Sequence, residues 1–190
     1  MTFDDDRSAA GGRPPGGPRG PDDGIRGWLA RSRRYSALRF LLEATGIALL
    51  LRIPVVWLGA PFVGTDARTA YDWLAEYSPL ELALIAILVG PVVETVVGQW
   101  VPIAIARRLV SRDAFAVALS AWLFGWLHFT QGALLVLIMF STGLVLAWTF
   151  VVWRERGLWQ ALAMTTGVHA LLNAVALAAA LLAAPAQTGT

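Results

Sequence analysis

The sequence predicts an all-α polytopic membrane protein with about five transmembrane helices and a polar site inside the membrane. Three observations predict it. Hydrophobic residues make up 57% of the 190 residues and charged residues only 15%, where soluble domains carry about 25%. Uncharged apolar runs recur at the length of roughly 20 residues that crosses a ~30 Å hydrocarbon core. Finally, Glu94 stands alone in one of these runs, with no other charged residue between Leu82 and Ala106. An ionisable group at such depth faces a protein interior or a water-filled cavity, so Glu94 is a candidate functional residue.

The chain begins with residues 1–24, which hold clustered Gly and Pro, scattered Asp and Arg, and almost nothing apolar. Such a segment cannot bury enough surface to offset chain entropy and reads as a disordered cytoplasmic tail ahead of a membrane domain at 25–190. From Ile25 to Phe40 Arg and apolar residues mix, as in a short interfacial helix. The first span is expected at about Ser36 to Trp57. It contains Glu43 and Arg52, nine residues apart and so unable to pair along the helix. Glu43 is expected near the inner headgroups and Arg52 snorkelling outward, the alternative being that Arg52 turns inward to the site.

A polar, aromatic segment from Gly64 to Ser78 reads as an interfacial loop or surface helix. Ser78, Pro79 and Glu81 then spell a capping box with Pro at the first helical position. The second span follows, about Pro79 to Ala106. Within it Gly90 and Gly98 flank Glu94 by one turn on the same face, which lets another backbone approach the carboxylate. Pro91 frees a carbonyl one turn upstream and should kink the helix there. Between Asp113 and Arg154 no residue is formally charged, enough for two spans, about Ala114 to Phe129 and Ala133 to Trp153, broken at Phe129-Thr130-Gln131-Gly132. Arg154 to Gly157 make a polar turn, and the fifth span is expected at about Leu158 to Leu182.

All fifteen basic residues are Arg, and eight of them, Arg7 to Arg39, precede the first span. Along the loops Arg alternates rich and poor, which predicts a multi-pass protein of the cell membrane with a cytoplasmic N-terminus and an exterior C-terminus. The basic excess is expected to meet membrane lipids, not nucleic acid. With no Cys, disulfides, thiolate nucleophiles and Cys metal sites are excluded.

The chain has two His. Phe124 and His128 are four apart, as are His169 and Asn173, with Thr165 one turn before His169. Glu94 lies thirteen residues from Arg107, His169 thirteen from Arg156, and His128 sixteen from Arg112. At 1.5 Å per residue they fall at one level, roughly 20 to 24 Å from the basic end. One carboxylate, two imidazoles and one carboxamide would thus share a layer. Such a set suits activation of water beside a carbonyl, with the carboxylate taking a proton and His and Asn donating to an oxyanion. It could equally hold a divalent metal such as zinc through Glu94, His128 and His169.

This order of residues, Glu94, then Phe124-x-x-x-His128, then His169-x-x-x-Asn173, resembles the CPBP (CAAX protease and bacteriocin-processing, or Abi) family of intramembrane endopeptidases over about residues 79–182. The resemblance implies hydrolysis of peptide bonds in membrane-associated peptides, for example prenylated or bacteriocin-like ones. It implies Glu94 as base, His128 as its water-binding partner, and His169 and Asn173 as oxyanion or metal contacts. Thr95, Gln99, Phe124 and Thr165 would surround them. The first motif departs from the family's Glu-Glu-x-x-x-Arg, with Thr95 at the second Glu and Gln99 at the Arg. Two other readings compete: a non-catalytic membrane interaction or immunity protein that keeps the fold, and a small proton-coupled transporter in which Glu94 and the His pair relay protons.

Overall fold

The computed structural model describes residues 35–63, 77–110 and 112–183. The expected tail, most of the interfacial helix and the polar segment 64–76 lie outside the described residues, as does the C-terminal segment from 184. All regular structure among the described residues is helical. Helix α1 spans Ala37–Val63. A continuous rod then runs through α2 (Pro79–Ala83), a π-helical turn (Leu84–Val89), α3 (Gly90–Thr95), a second π-helical turn (Val96–Trp100) and α4 (Val101–Leu109). Helix α5 (Asp113–Trp126), a 3₁₀ turn (Phe129–Gln131), α6 (Ala133–Arg154) and α7 (Leu158–Ala183) complete the chain.

Four of these rods are long and apolar enough to cross a membrane. The fifth, α5, is 14 residues long, about 21 Å, so it falls short of a ~30 Å core. It ends in a stack of exposed rings, Trp122 on Trp126 at 5.9 Å and Trp126 on Phe129 at 5.5 Å. Aromatic rings of this kind settle at the headgroup level. The expected breaks are where the sequence put them. The turn before α6 carries Gly132 at φ 105°, and the Arg154–Gly157 turn closes on Gly157 at φ 136°, both left-handed positions that favour Gly. Helix α1 runs six residues past its expected end at Trp57, through Pro54 and Pro61, since nothing polar interrupts it before Gly64.

The rod from 79 to 109 shows how local chemistry shapes the site. Ser78 accepts from the Glu81 N–H while the Glu81 carboxylate accepts from the Ser78 N–H at 2.8 Å, closing the capping box. Each π-helical turn precedes a proline by two residues, and each is closed by an i→i−5 bond, Gly90 N–H to Ile85 O and Val101 N–H to Val96 O. A wider turn moves the upstream carbonyls off the pyrrolidine ring. The carbonyls that Pro91 and Pro102 cannot serve are taken by other helices. Five residues before Pro91, Ala86 O accepts from Asn173 Nδ2 at 2.8 Å, and four before Pro102, Gly98 O lies 2.7 Å from Ser120 Oγ. The freed carbonyl expected from Pro91 is therefore a tether to α7.

Helix α6 is the centre of the bundle and packs against α1, α5 and α7. Two of its three hydroxyls are turned back on its own backbone, Ser141 Oγ and Thr142 Oγ1 donating to Ile138 O at 2.7 and 2.9 Å, while the buried Thr149 hydroxyl has no hydrogen-bond partner among the described residues. Small residues set the α5–α6 contact. Ala121 and Gly125 on α5 and Gly143 and Ala147 on α6 are all buried. A Cβ on Gly125 would lie 2.8 Å from Val136 O and 3.1 Å from Phe140 N, both backbone atoms. Gly125→Val is therefore expected to lower stability by about 1 to 3 kcal/mol through overpacking, whereas Gly46→Ala, whose Cβ meets nothing within 4 Å, should be near neutral. Thermal unfolding of the purified variants in detergent checks both.

At the basic end of the bundle, Phe40 meets Trp153 edge-on at 5.6 Å and the Arg156 guanidinium caps the Trp153 ring at 3.9 Å. Arg39 pairs with Glu43 at 2.7 Å and Arg107 with Asp113 at 2.7 Å. Exposed pairs like these contribute little to stability; the first lies within α1, and the second joins the end of α4 to the start of α5.

Candidate active site

Glu94 sits on α3, between the two π-helical turns, with its side chain half-buried. Gly90, one turn earlier, leaves room for it; a Cβ there would be 3.5 Å from Glu94 Oε1 and 3.0 Å from Ile85 O. Gly98, one turn later, is filled by another helix, since a Cβ there would meet the Phe124 ring at 2.7 Å. The two glycines thus do different work. One opens space beside the carboxylate and the other lets α5 close on the rod.

That closure brings His128 to Glu94. Phe124, fully buried, packs its ring against both imidazoles, 5.2 Å from His128 and 5.6 Å edge-on to His169. His128 Nε2 lies 3.9 Å from Glu94 Oε2, and His169 Nε2 lies 3.7 Å from the same oxygen. These separations are too long for direct hydrogen bonds and within the span of one bridging water. His128 Nδ1 is 2.9 Å from Phe124 O, and a carbonyl only accepts, so Nδ1 carries the proton and Nε2 is the acceptor in the neutral ring. His169 is 3% exposed, and its Nδ1 has no hydrogen-bond partner among the described residues.

The remaining sequence candidates take up positions around this centre. Asn173 holds Ala86 O, so its amide links α7 to the π-helical turn ahead of Glu94. Thr95 and Thr165 are fully buried, and neither hydroxyl finds a partner among the described residues. Gln99, also fully buried, has its Oε1 2.6 Å from Ser120 Oγ, which shares its one proton between that oxygen and Gly98 O. The donor set of Glu94, His128 and His169 is of the right kind for zinc. Among the described residues, however, no three His or acidic side chains have the arrangement of a metal site.

Arg52 departs from the outward course expected of it. Its Nε donates to Thr142 Oγ1 at 3.1 Å, which turns the side chain into the bundle against α6. Sequence reasoning also passed over Ser120 and Ala86. A signal was present for the first, a small hydroxyl in an otherwise apolar span; none was present for a backbone carbonyl whose partner is on another helix.

Comparison with known proteins adds a family. Residues 76–175 match the family described as type II CAAX prenyl endopeptidase Rce1-like. The matched stretch starts just before the capping box and ends just after Asn173. No curated protein and no solved structure matches the chain.

Proposed function

Because the chain belongs to the Rce1-like family of type II CAAX prenyl endopeptidases, a protease family of multi-pass membrane proteins, we propose that it is an intramembrane endopeptidase acting on membrane-associated peptides, prenylated ones among them. The observation that carries this reading is one carboxylate oxygen held within 4 Å of two imidazole nitrogens among apolar helices. Water between Glu94 and His128 gives its proton to the carboxylate as its oxygen bonds to the scissile carbonyl carbon. His128 Nε2 accepts the second O–H of that water and so aims its lone pair. His169 and Asn173 donate to the oxyanion that forms. Glu94 then passes the proton to the leaving nitrogen as the C–N bond breaks. Gln99 and Ser120 hold the rod against α5 and thereby hold Glu94 at its distance from His128.

A second reading has one observation in its favour. Thr95 and Gln99 replace the charged members of the first motif, and both are sealed in the interior, which suits a membrane interaction or immunity protein that keeps the fold without the chemistry. Purified protein incubated with membrane peptides, with and without chelator, tests the choice. Cleavage insensitive to chelator is the expected result, chelator-sensitive cleavage would assign a metal to Glu94, His128 and His169, and absence of cleavage would favour the interaction reading.

The same basis supports an orientation with the Arg-rich helix ends cytoplasmic. The chain has no Cys, so single-Cys labelling is clean. An impermeant maleimide added outside cells should label Gln131→Cys and miss Arg112→Cys; the opposite pattern would invert the assignment.

A further inference from the structure

The two imidazoles beside Glu94 differ in what their hydrogen bonds leave open. His128 carries its proton on Nδ1, which faces Phe124 O at 2.9 Å, so its Nε2 offers only a lone pair. Glu94 Oε2, in an ionised carboxylate, also only accepts. His169 Nε2 stands 3.7 Å from that oxygen, as His128 Nε2 stands 3.9 Å from it. For a water or an oxyanion in this space, His169 Nε2–H is therefore the one donor that the three groups can supply. A neutral ring with its proton on Nε2 has a lone pair on Nδ1, and that atom is buried with no hydrogen-bond partner among the described residues.

Thr165 lies four residues earlier on α7 and is fully buried. A helical side chain leans over the turn on its N-terminal side, so the His169 ring lies over Thr165, with about 5 to 6 Å between the two Cβ atoms. The Thr165 hydroxyl has not given its proton elsewhere. Ser141 and Thr142 donate theirs to Ile138 O, whereas Thr165 Oγ1 bonds neither to its own backbone nor to His169. Close to the same height stands another such group. Thr95, fully buried on α3 with its hydroxyl unpartnered among the described residues, is twelve residues from Arg107 where His169 is thirteen from Arg156, and α3 packs against α7. Polar atoms left alone in an apolar bundle are costly. An internal water is held by two to four polar groups of this kind, and Thr165 and His169 supply two.

We propose that one internal water, held by the Thr165 hydroxyl, donates to His169 Nδ1 and so fixes His169 as the Nε2–H tautomer. Thr165 is thereby a positioning residue, which touches no substrate and acts through the imidazole. The purpose of this device rests on the peptidase reading, in which His169 Nε2–H is a donor to the oxyanion; its detection does not. The test is solid-state NMR of the full chain in nanodiscs with isotope-labelled histidine. The chain has two His, so His128→Gln leaves the His169 ring alone in the spectrum. The parent should show His169 protonated at Nε2 and bare at Nδ1, with a cross-peak from a bound water to Nδ1. Thr165→Val, close in shape but without the hydroxyl, should lose that cross-peak and leave the ring a mixture of both tautomers, while Thr165→Ser should keep both signals. In turnover, Thr165→Val should lower kcat by about 10- to 100-fold at unchanged KM, the range for outer partners that orient an imidazole, and Thr165→Ser should restore it. An Nδ1–H tautomer in the parent, or a parent-like ring in Thr165→Val, would overturn the proposal; the parent spectrum decides by itself if Thr165→Val does not fold. The two ideas fail separately. A parent with the water and the Nε2–H ring that cuts no membrane peptide ends the peptidase reading, and a parent that cuts with His169 as the Nδ1–H ring ends the water.

Discussion

Glu94→Gln is expected to fold as the parent does and to lose peptide hydrolysis by about 10²- to 10⁴-fold, the usual contribution of a general base. The amide keeps the shape and the hydrogen-bonding capacity of the side chain but cannot take a proton from water. Folding should be spared because the carboxylate makes no direct hydrogen bond to either His, at 3.7 and 3.9 Å, and tethers no helix. What closes the bundle here is Phe124 against Gly98, Ser120 on Gly98 O and Asn173 on Ala86 O, all untouched by the substitution. Turnover of a membrane peptide cut by the parent, with the unfolding temperature as control, measures both halves of the expectation. An unimpaired Glu94→Gln enzyme would remove the mechanism proposed here.

The second large effect is expected at Asn173. Asn173→Ala should lower kcat by about 10²- to 10³-fold with little change in KM, as for the loss of an oxyanion donor. The substitution also strands Ala86 O, which Pro91 cannot serve and which Asn173 Nδ2 now holds at 2.8 Å. That loss is worth about 1 to 3 kcal/mol of stability. The two contributions can be separated, because Pro91→Ala restores a backbone N–H five residues beyond Ala86 within the π-helical turn. In Asn173→Ala/Pro91→Ala the stability should return and kcat should not. Recovery of kcat as well would make Asn173 a positioning residue that acts by holding the turn ahead of Glu94.

Much of the site could be read along the chain because its members are chemically out of place. A carboxylate, two imidazoles and a carboxamide in uncharged spans each demand a protein or water environment, and the spacing of four puts Phe124 under His128 and Asn173 beside His169 on common helix faces. The convergence of the two imidazoles on Glu94 Oε2 follows from equal depth once the helices are packed. The capping box at Ser78 and the breaks at Gly132 and Gly157 were equally legible, being set by interactions within a few residues. Less legible was the length of α1, which ran on through two prolines. In lipid, backbone groups have no water to turn to, so a helix persists until polar residues let it stop.

The π-helical turns mark the boundary of what local reasoning reaches. Pro91 announces that a carbonyl is freed, and the rod answers by widening before both Pro91 and Pro102. Which groups take up Ala86 O and Gly98 O depends on α7 and α5, and nothing in residues 79–109 names Asn173 or Ser120.

By itself, then, the sequence determined axial position: which segments are apolar, where the capping box and the two glycine turns fall, and that Glu94, His128 and His169 lie at one level. The rise per residue is constant and the Arg-rich ends are pinned at the interface, so counting residues measures depth. Rotation about each helix axis was decided only by the tertiary structure. A span that is apolar all round has no face that lipid prefers, so its orientation comes from close packing, here Gly98 on Phe124 and Gly143 on Ala121. That is why Arg52, expected to snorkel outward, is instead turned by the packed bundle onto Thr142 of α6.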